Sequence, residues 1–368
     1  MSQYTNRPPE RYQIRHFRPG DQEQIVSLHD SVFGREWGHD WFEWKFKRNP
    51  YVDHVPIIVS TRGDQIVGCR AFFALEMQIN GTTQTALQPC DTMVHPDHRR
   101  QGLFSRMNEL ALEYYADRSP AFFFNFPNEN SKRGNLKHGW QEVRTVPMYY
   151  RVHDPIPLLK TWIDGDGSGK IDSDERSGAD ASIVANVLSS AETSSERESD
   201  GVRVERYETP PHALLASIGE QESTTGIRAN RSAEFYRWRL DNPASEYAAY
   251  VATRDGTALA ALLVSVAEDC VQIVDILSRN DSARQGVVGD LVSGVIGAHS
   301  DRNYFTAFGE SLPNPLRRGF YPDTRFPLST IIRPTTRTLL ARDIGDSTLI
   351  ENSSPADWQL TQLDLDTA

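Results

Sequence analysis

Cys90-Asp91-Thr92-Met93-Val94-His95-Pro96-Asp97-His98-Arg99-Arg100-Gln101-Gly102-Leu103-Phe104 decides the fold, and an amphipathic run to Tyr115 follows it. The stretch predicts a buried strand, a short arginine-rich turn closed by glycine, and a helix. Leu103, Met107, Leu110, Ala111 and Tyr114 recur at helical spacing, with Arg106, Asn108, Glu109 and Glu113 on the other side. A turn that opens a helix presents unpaired backbone N–H groups and the positive end of the helix dipole. Such a terminus accepts phosphate, Gly102 lets a ligand approach the backbone, and Arg99 and Arg100 add guanidinium forks. The expected chemistry is a diphosphate cradle. On motif content alone, a solvated basic turn with no ligand fits equally well, because short glycine signatures match often by chance.

The segment Val94-His95-Pro96-Asp97-His98-Arg99-Arg100-Gln101-Gly102-Leu103 resembles the acetyl-CoA loop of the GNAT N-acetyltransferase superfamily. That pattern is Gln/Arg-x-x-Gly-x-Gly/Ala after a strand ending in Val-x-Pro. Arg99 fills the first position and Gly102 the fourth, while Phe104 departs from the expected glycine or alanine and reshapes the cradle. The resemblance implies acetyl-CoA as cosubstrate, with its thioester carbonyl polarised by amides near Met93 and Val94. Its diphosphate would lie on the amides of Gln101, Gly102, Leu103 and Phe104, with Arg99 and Arg100 beside it. Asn130 to Trp140 resembles the family's last motif, which makes Asn130 the implied ligand of the pantetheine arm. The tyrosine that often protonates the departing thiolate falls at Asn135, and a carboxamide has no titratable proton to give. Tyr149, on the following strand, is the nearest substitute by sequence; plain strand packing is its other reading.

A protonated amine must lose a proton before it attacks a thioester, so a base is sought near the end of the Gln88–His95 strand. Cys90, Thr92 and Val94 point one way there, and Asp91, Met93 and His95 the other. Asp91 and Glu76 are the carboxylate candidates and His95 the imidazole. Each has a plainer role open to it, in an ion pair or a surface turn. Cys90 reads as inert buried packing.

The chain has 368 residues, enough for two domains each with its own core. No apolar run approaches a membrane span, and Met1 to Pro9 lacks the apolar stretch of a signal peptide. Three cysteines in a chain this long make no disulfide framework, so a cytoplasmic location is expected. A net charge of −11 argues against a nucleic-acid partner. Only six of the 39 basic residues are lysine, so a halophilic source is expected, the alternative being a high-GC genome that uses arginine for lysine.

In order along the chain come a first strand at Tyr12–Phe17 and a helix carrying Ile25, Leu28 and Phe33. An aromatic run holding Trp41, Phe42, Trp44 and Phe46 reads as core, or as the wall of an acceptor pocket. Hairpins are expected about Arg62-Gly63-Asp64 and Asn80-Gly81. The second half repeats this order: Glu234 to Pro243 echoes Trp41 to Pro50, Arg254-Asp255-Gly256 echoes the first turn, and Arg284-Gln285-Gly286 echoes Arg100-Gln101-Gly102. Pro313-Asn314 and Phe326-Pro327 with Arg333 continue the parallel with Pro127-Asn128 and Val146-Pro147 with Arg151.

The expectation is an α+β protein of two GNAT-like lobes, each a mixed, largely antiparallel sheet flanked by helices. Its parts would be a catalytic N-terminal domain at 1–155, an acidic Gly/Ser-rich linker at 156–202 and a degenerate copy at 203–368. Within the linker, Asp164 to Glu175 resembles a calcium-binding EF-hand loop, though an acidic connector with no metal is the better reading. Trp358 to Asp364 is expected to pack back as a last strand, and Asp364-Leu365-Asp366 to end in solvent. The expected activity is acetyl transfer from acetyl-CoA to a primary amine of a small molecule or peptide, by direct attack, with no nucleic acid and no membrane involved. Two rivals are a non-catalytic acyl-CoA-binding sensor and a Fem-type aminoacyltransferase.

Overall fold

Hairpin chemistry sets the first sheet. Its strands are β1 (Tyr12–His16), β2 (Ile57–Arg62), β3 (Gln65–Ile79), β4 (Thr82–Val94), β5 (Pro120–Asn125) and β6 (Gln141–Val146). Asn80 and Gly81, at φ 46° and 86°, supply the left-handed pair that joins β3 to β4 in a two-residue turn. The computed structural model describes residues 12–34, 38–154, 201–220, 226–278, 281–312, 316–317, 319–330 and 337–366. The calcium-loop pattern at 164–175, the side chains of Asn130, Arg284 and Gln285, and the residues Pro313, Asn314 and Arg333 lie outside what is described.

The chain divides into two compact units, neither continuous in sequence. The first comprises Met1–Gln78, Thr82–Arg144 and Leu339–Pro355. The second comprises Ile79–Gly81, Thr145–Thr338 and Ala356–Ala368. From Met148 onward the strands are β7 (Met148–Val152), β8 (Arg203–Tyr207), β9 (Ile227–Ala229), β10 (Tyr247–Arg254), β11 (Thr257–Val266) and β12 (Cys270–Ser278). β13 (Tyr304–Phe308), β14 (Tyr321–Pro322) and β15 (Arg337–Asp343) complete them.

The first sheet runs β1-β2-β3-β4-β5-β15-β6 and the second β14-β7-β13-β12-β11-β10-β8. Two mixed sheets flanked by helices therefore form the α+β architecture expected from the sequence. One strand of each sheet comes from the opposite half of the chain. β15 enters the first between β5 and β6, pairing Leu340 with Asn125 and Asp343 with Phe122. β7 enters the second, where Ala307 pairs with Tyr149.

In the first unit, helix α1 (Gln22–Phe33), the short helix α2 (His39–Phe42) and a π turn at Glu43–Lys47 precede β2. Helix α3 (Leu103–Tyr115) follows β4 and α4 (Glu129–Lys137) follows β5. Met107, Ala111 and Tyr115 of α3 enter a core with Phe72, Leu87, Phe123, Trp140 and Leu340. Phe123 and Trp140 stack with ring centroids 5.7 Å apart. Leu103, Met107 and Ala111 are buried as the sequence spacing predicts, but Asn108 and Tyr115 are buried beside them, while Leu110 and Tyr114 are only partly so.

The second unit repeats the pattern. Asp255 and Gly256, at φ 50° and 77°, turn β10 into β11. Its Asn-Pro turn matches the first: Asn49 Oδ1 accepts from the Tyr51 amide at 3.0 Å, and Asn242 Oδ1 from the Ala244 amide at 3.1 Å. Trp358 bridges to Ile227 of β9, and the tail continues as a 3-10 turn at Gln362–Asp364 rather than a strand. The acidic end expected in solvent is instead buried: Asp364 is 0% exposed, because Arg231 takes its carboxylate. No described helix is long and apolar enough to cross a membrane.

His16, His138, His153, His212 and His299 are each held below the usual imidazole range, burial being the main cause. The unfolded chain takes up protons near pH 6.5 that the folded chain refuses until lower pH. Stability is therefore whole above that range and is lost as the pH falls from about 7 to about 5. Asp323 opposes this only in stronger acid, since burial raises its carboxyl and its protonation favours the fold. Thermal melts across this interval are expected to show Tm falling steadily. A flat profile would mean these rings are hydrated in the folded state.

Candidate active site

β4 is a strand with a kink at the place that matters. Asp91 holds φ 43°, a left-handed conformation that costs a non-glycine residue on the order of 1 kcal/mol. The β4–β5 ladder runs from Thr85↔Pro120 to Leu87↔Phe123, and the remainder of β4 continues past it. Beyond that point side chains take over: Asn125 Nδ2 donates to the Pro89 carbonyl at 3.4 Å, and Asn135 Nδ2 to Asn125 Oδ1 at 3.5 Å.

After Val94 the chain makes a 3-10 turn at Pro96–His98, where His95 Nδ1 accepts from the Asp97 amide at 3.3 Å. His95 thus caps its own turn. Tyr12 Oη and His98 Nδ1 lie 3.0 Å apart and tie the turn to β1. Arg99 is exposed and its Nε donates to the Val94 carbonyl at 3.1 Å. Arg100 and Gly102 both take positive φ, 62° and 70°. Gly102 is the N-cap residue of α3, no side chain caps that helix, and a Cβ at Gly102 would meet nothing within 4 Å. The first amides of α3 open onto free space. A helix of 13 residues with no side-chain cap and two arginines at its start has the donors and the dipole end that an anion requires.

On the opposite face of β4, Asp91 and Met93 line a recess with Ile25, His29, Trp41, Phe42, Phe46 and Ala71. The aromatic run is buried, as its composition predicted, and three of its rings also wall this recess. Lys45 Nζ lies 2.8 Å from Asp91 Oδ2 and 4.9 Å from the Trp41 ring centre. His29 Nε2 lies 3.9 Å from Asp91 Oδ1. Lys45 is only 2% exposed, so it is an interior cation neutralised by Asp91.

Of the expected bases, Asp91 alone faces the recess. Glu76 sits in β3 four residues before Asn80 of the Asn80-Gly81 tip, whereas Arg70 meets Thr92 at the other end of the hairpin. Six residues of strand, on the order of 20 Å, separate Glu76 from the level of Asp91. Tyr149 is in the second unit, where Arg317 Nη1 donates to its hydroxyl at 2.8 Å. Asn130 is in the first turn of α4, whose N-cap is Asn128, accepting from the Ser131 amide at 3.0 Å. Cys69 and Cys90 are buried, and burial pushes the Cys69 thiol up, so it is inert. Lys45 and His29 are partners that sequence reasoning missed. The available signal was a lone lysine four residues after Trp41 inside an aromatic run.

Residues 13–141 match the family model of the GNAT acetyltransferase domain. The first unit is a GNAT domain, and the chain an acyltransferase. No curated protein matches the sequence. Among solved structures, a probable N-acyltransferase of Enterococcus faecalis superposes with a TM-score of 0.63 at 11% identity, over 93% of this chain and 74% of that one. A GCN5-related N-acetyltransferase of Anabaena variabilis gives 0.61 at 10% identity, over 91% and 73%. The Saccharomyces cerevisiae N-myristoyltransferase with bound myristoyl-CoA gives 0.55 at 11% identity, over 89% and 77%. At these identities the likeness is one of fold. It extends well beyond the GNAT domain, so both sheets belong to the shared architecture.

Proposed function

We propose that the GNAT domain binds acetyl-CoA along β4 and passes its acetyl group directly to a primary amine entering from the recess. The uncapped first turn of α3, open above Gly102, carries this reading. In it, the amides of Gln101, Gly102, Leu103 and Phe104 hold the diphosphate with Arg99 and Arg100, and Asn130 meets the pantetheine arm. Amides of Met93 and Val94 polarise the thioester carbonyl. An acyl-CoA on this fold in the yeast N-myristoyltransferase supports the choice of cosubstrate class.

Asp91 is the base in this scheme, preferred over Glu76 and His95 because it lines the recess. The amine nitrogen attacks the thioester carbon while its proton passes to the carboxylate. The C–S bond then breaks, and the thiolate takes a proton from water, because Asn135 has none to give. No activated nucleophile lies in the recess, which favours direct attack over a covalent intermediate.

Acetyl-CoA consumption is to be followed against amino sugars, polyamines, peptide amines and lysine. Turnover on at least one is expected, and Arg99→Ala is expected to raise KM for acetyl-CoA about tenfold. Tight binding of coenzyme A with no turnover on any amine would replace this reading with a sensor.

A further inference from the structure

Arg70 of β3 is a buried cation with no ion-pair partner among the described residues. Its side chain is 1% exposed, Nη1 lies 3.5 Å from Thr92 Oγ1, and Nε and Nη2 have no hydrogen-bond partner. Burial is the main influence on its charge and lowers its pKa to about 10, with Cys90 acting against that; no carboxylate among the described residues does. The guanidinium is therefore charged at neutral pH. An interior charge without a counter-ion is among the least favourable groups a core can hold.

The cover over it is the residue that breaks the family pattern. The Phe104 ring centre lies 4.9 Å from the guanidinium carbon, with Phe72 at 5.5 Å. Phe104 is the second residue of α3, and its edge rests on Gly134 of α4, where a Cβ would come within 2.6 Å of it. One turn further along α3, buried Asn108 leaves Nδ2 without a partner; next to Gly134, buried Asn135 leaves Oδ1 without one. Donors and an acceptor on three elements thus lack partners among the described residues.

We propose that Arg70 is an anion-binding residue of the cofactor site, receiving a negatively charged oxygen of an acyl-CoA once the Phe104 ring moves aside. This rests on the reading that the GNAT domain holds acyl-CoA. Two oxygens suit a guanidinium fork placed here. One belongs to the diphosphate, because Phe104 is part of the helix turn that cradles it. The other is a carboxylate ending a dicarboxylic acyl chain, because Thr92 adjoins the Met93 and Val94 amides at the thioester. Phe104 is then a lid that keeps the unliganded guanidinium out of water.

Calorimetry of the full-length protein with coenzyme A, acetyl-CoA and succinyl-CoA tests the underlying reading first: no heat from any of them removes both. Arg70→Met, similar in shape but uncharged, is then expected to bind at least tenfold more weakly. Its unliganded Tm is expected to hold or rise, since an uncompensated charge has gone. Equal loss for all three ligands assigns the diphosphate; loss confined to succinyl-CoA assigns the acyl carboxylate. Undiminished binding of all three by the variant overturns the proposal and leaves the cofactor reading intact. Should Arg70→Met fail to fold, Arg70→Lys keeps the charge but loses the fork. It is expected to weaken binding several-fold, and wild-type affinity in it would be equally fatal.

Discussion

Arg231→Met is expected to cost the second unit about 3–5 kcal/mol, the loss seen when one partner of a buried ion pair is removed. The guanidinium is 6% exposed, and Asp275 and Asp364 are at most 1%. Its Nε meets Asp275 Oδ2 at 2.8 Å and its Nη1 meets Asp364 Oδ1 at 2.5 Å, while Nη2 also donates to Thr361 at 2.8 Å. Tyr236 donates to Asp275 at 3.2 Å. Methionine replaces the volume and removes the cation that the two buried carboxylates share. Hydrogen exchange at Trp358–Leu365 reads the result, since Asp364 is what pins that tail. A drop in protection worth less than about 1 kcal/mol would mean that water reaches the carboxylates. Adding Asp275→Asn and Asp364→Asn to Arg231→Met is expected to recover much of the loss, because no isolated charge then remains.

The same comparison shows what the two copies became. The second unit's central strand has its register shift opposite Leu263 and Val264, where Asp275 sits, much as β4 is kinked at Asp91. In the first unit that aspartate faces a recess and is held by Lys45. In the second it is claimed by Arg231, and the chain's own tail supplies Asp364 as a second carboxylate. In the first unit the carboxylate lines a recess; in the second it is a buried structural joint.

Local chemistry was legible from the sequence, and pairing at a distance was not. Asn80-Gly81, Asp255-Gly256 and Gly102 each announce a left-handed backbone, and each adopts it. The 3.6-residue period from Leu103 to Tyr115 marked Leu103, Met107 and Ala111 of the buried face of α3 but missed Asn108 and Tyr115. Nothing local says that Arg337–Asp343 will sit between β5 and β6, or that Met148–Val152 will join β13. An alternating strand carries its face in its sequence but not its neighbour. Likewise Lys45, Arg70 and Arg231 look like ordinary basic residues until burial removes the water that would have screened them. The tail misled for the same reason, since Asp364-Leu365-Asp366 reads as solvent-loving without a buried arginine to receive it.

Asp91→Asn is expected to lower kcat by about 10²–10⁴-fold, the usual worth of a positioned general base. Asparagine is the apt substitution because it tolerates left-handed φ as aspartate does, so the kink at φ 43° need not move. What it removes is the charge, and that also strips Lys45 of the carboxylate 2.8 Å from its Nζ. Activity could then fall because the recess distorts. The double variant Asp91→Asn/Lys45→Met separates the two causes, since it removes both charges together. Thermal stability is expected to return toward wild type in the double variant while kcat stays low. Recovery of activity along with stability would make Asp91 a structural partner of Lys45 and move the base elsewhere, with His29, 3.9 Å away, the next group to test.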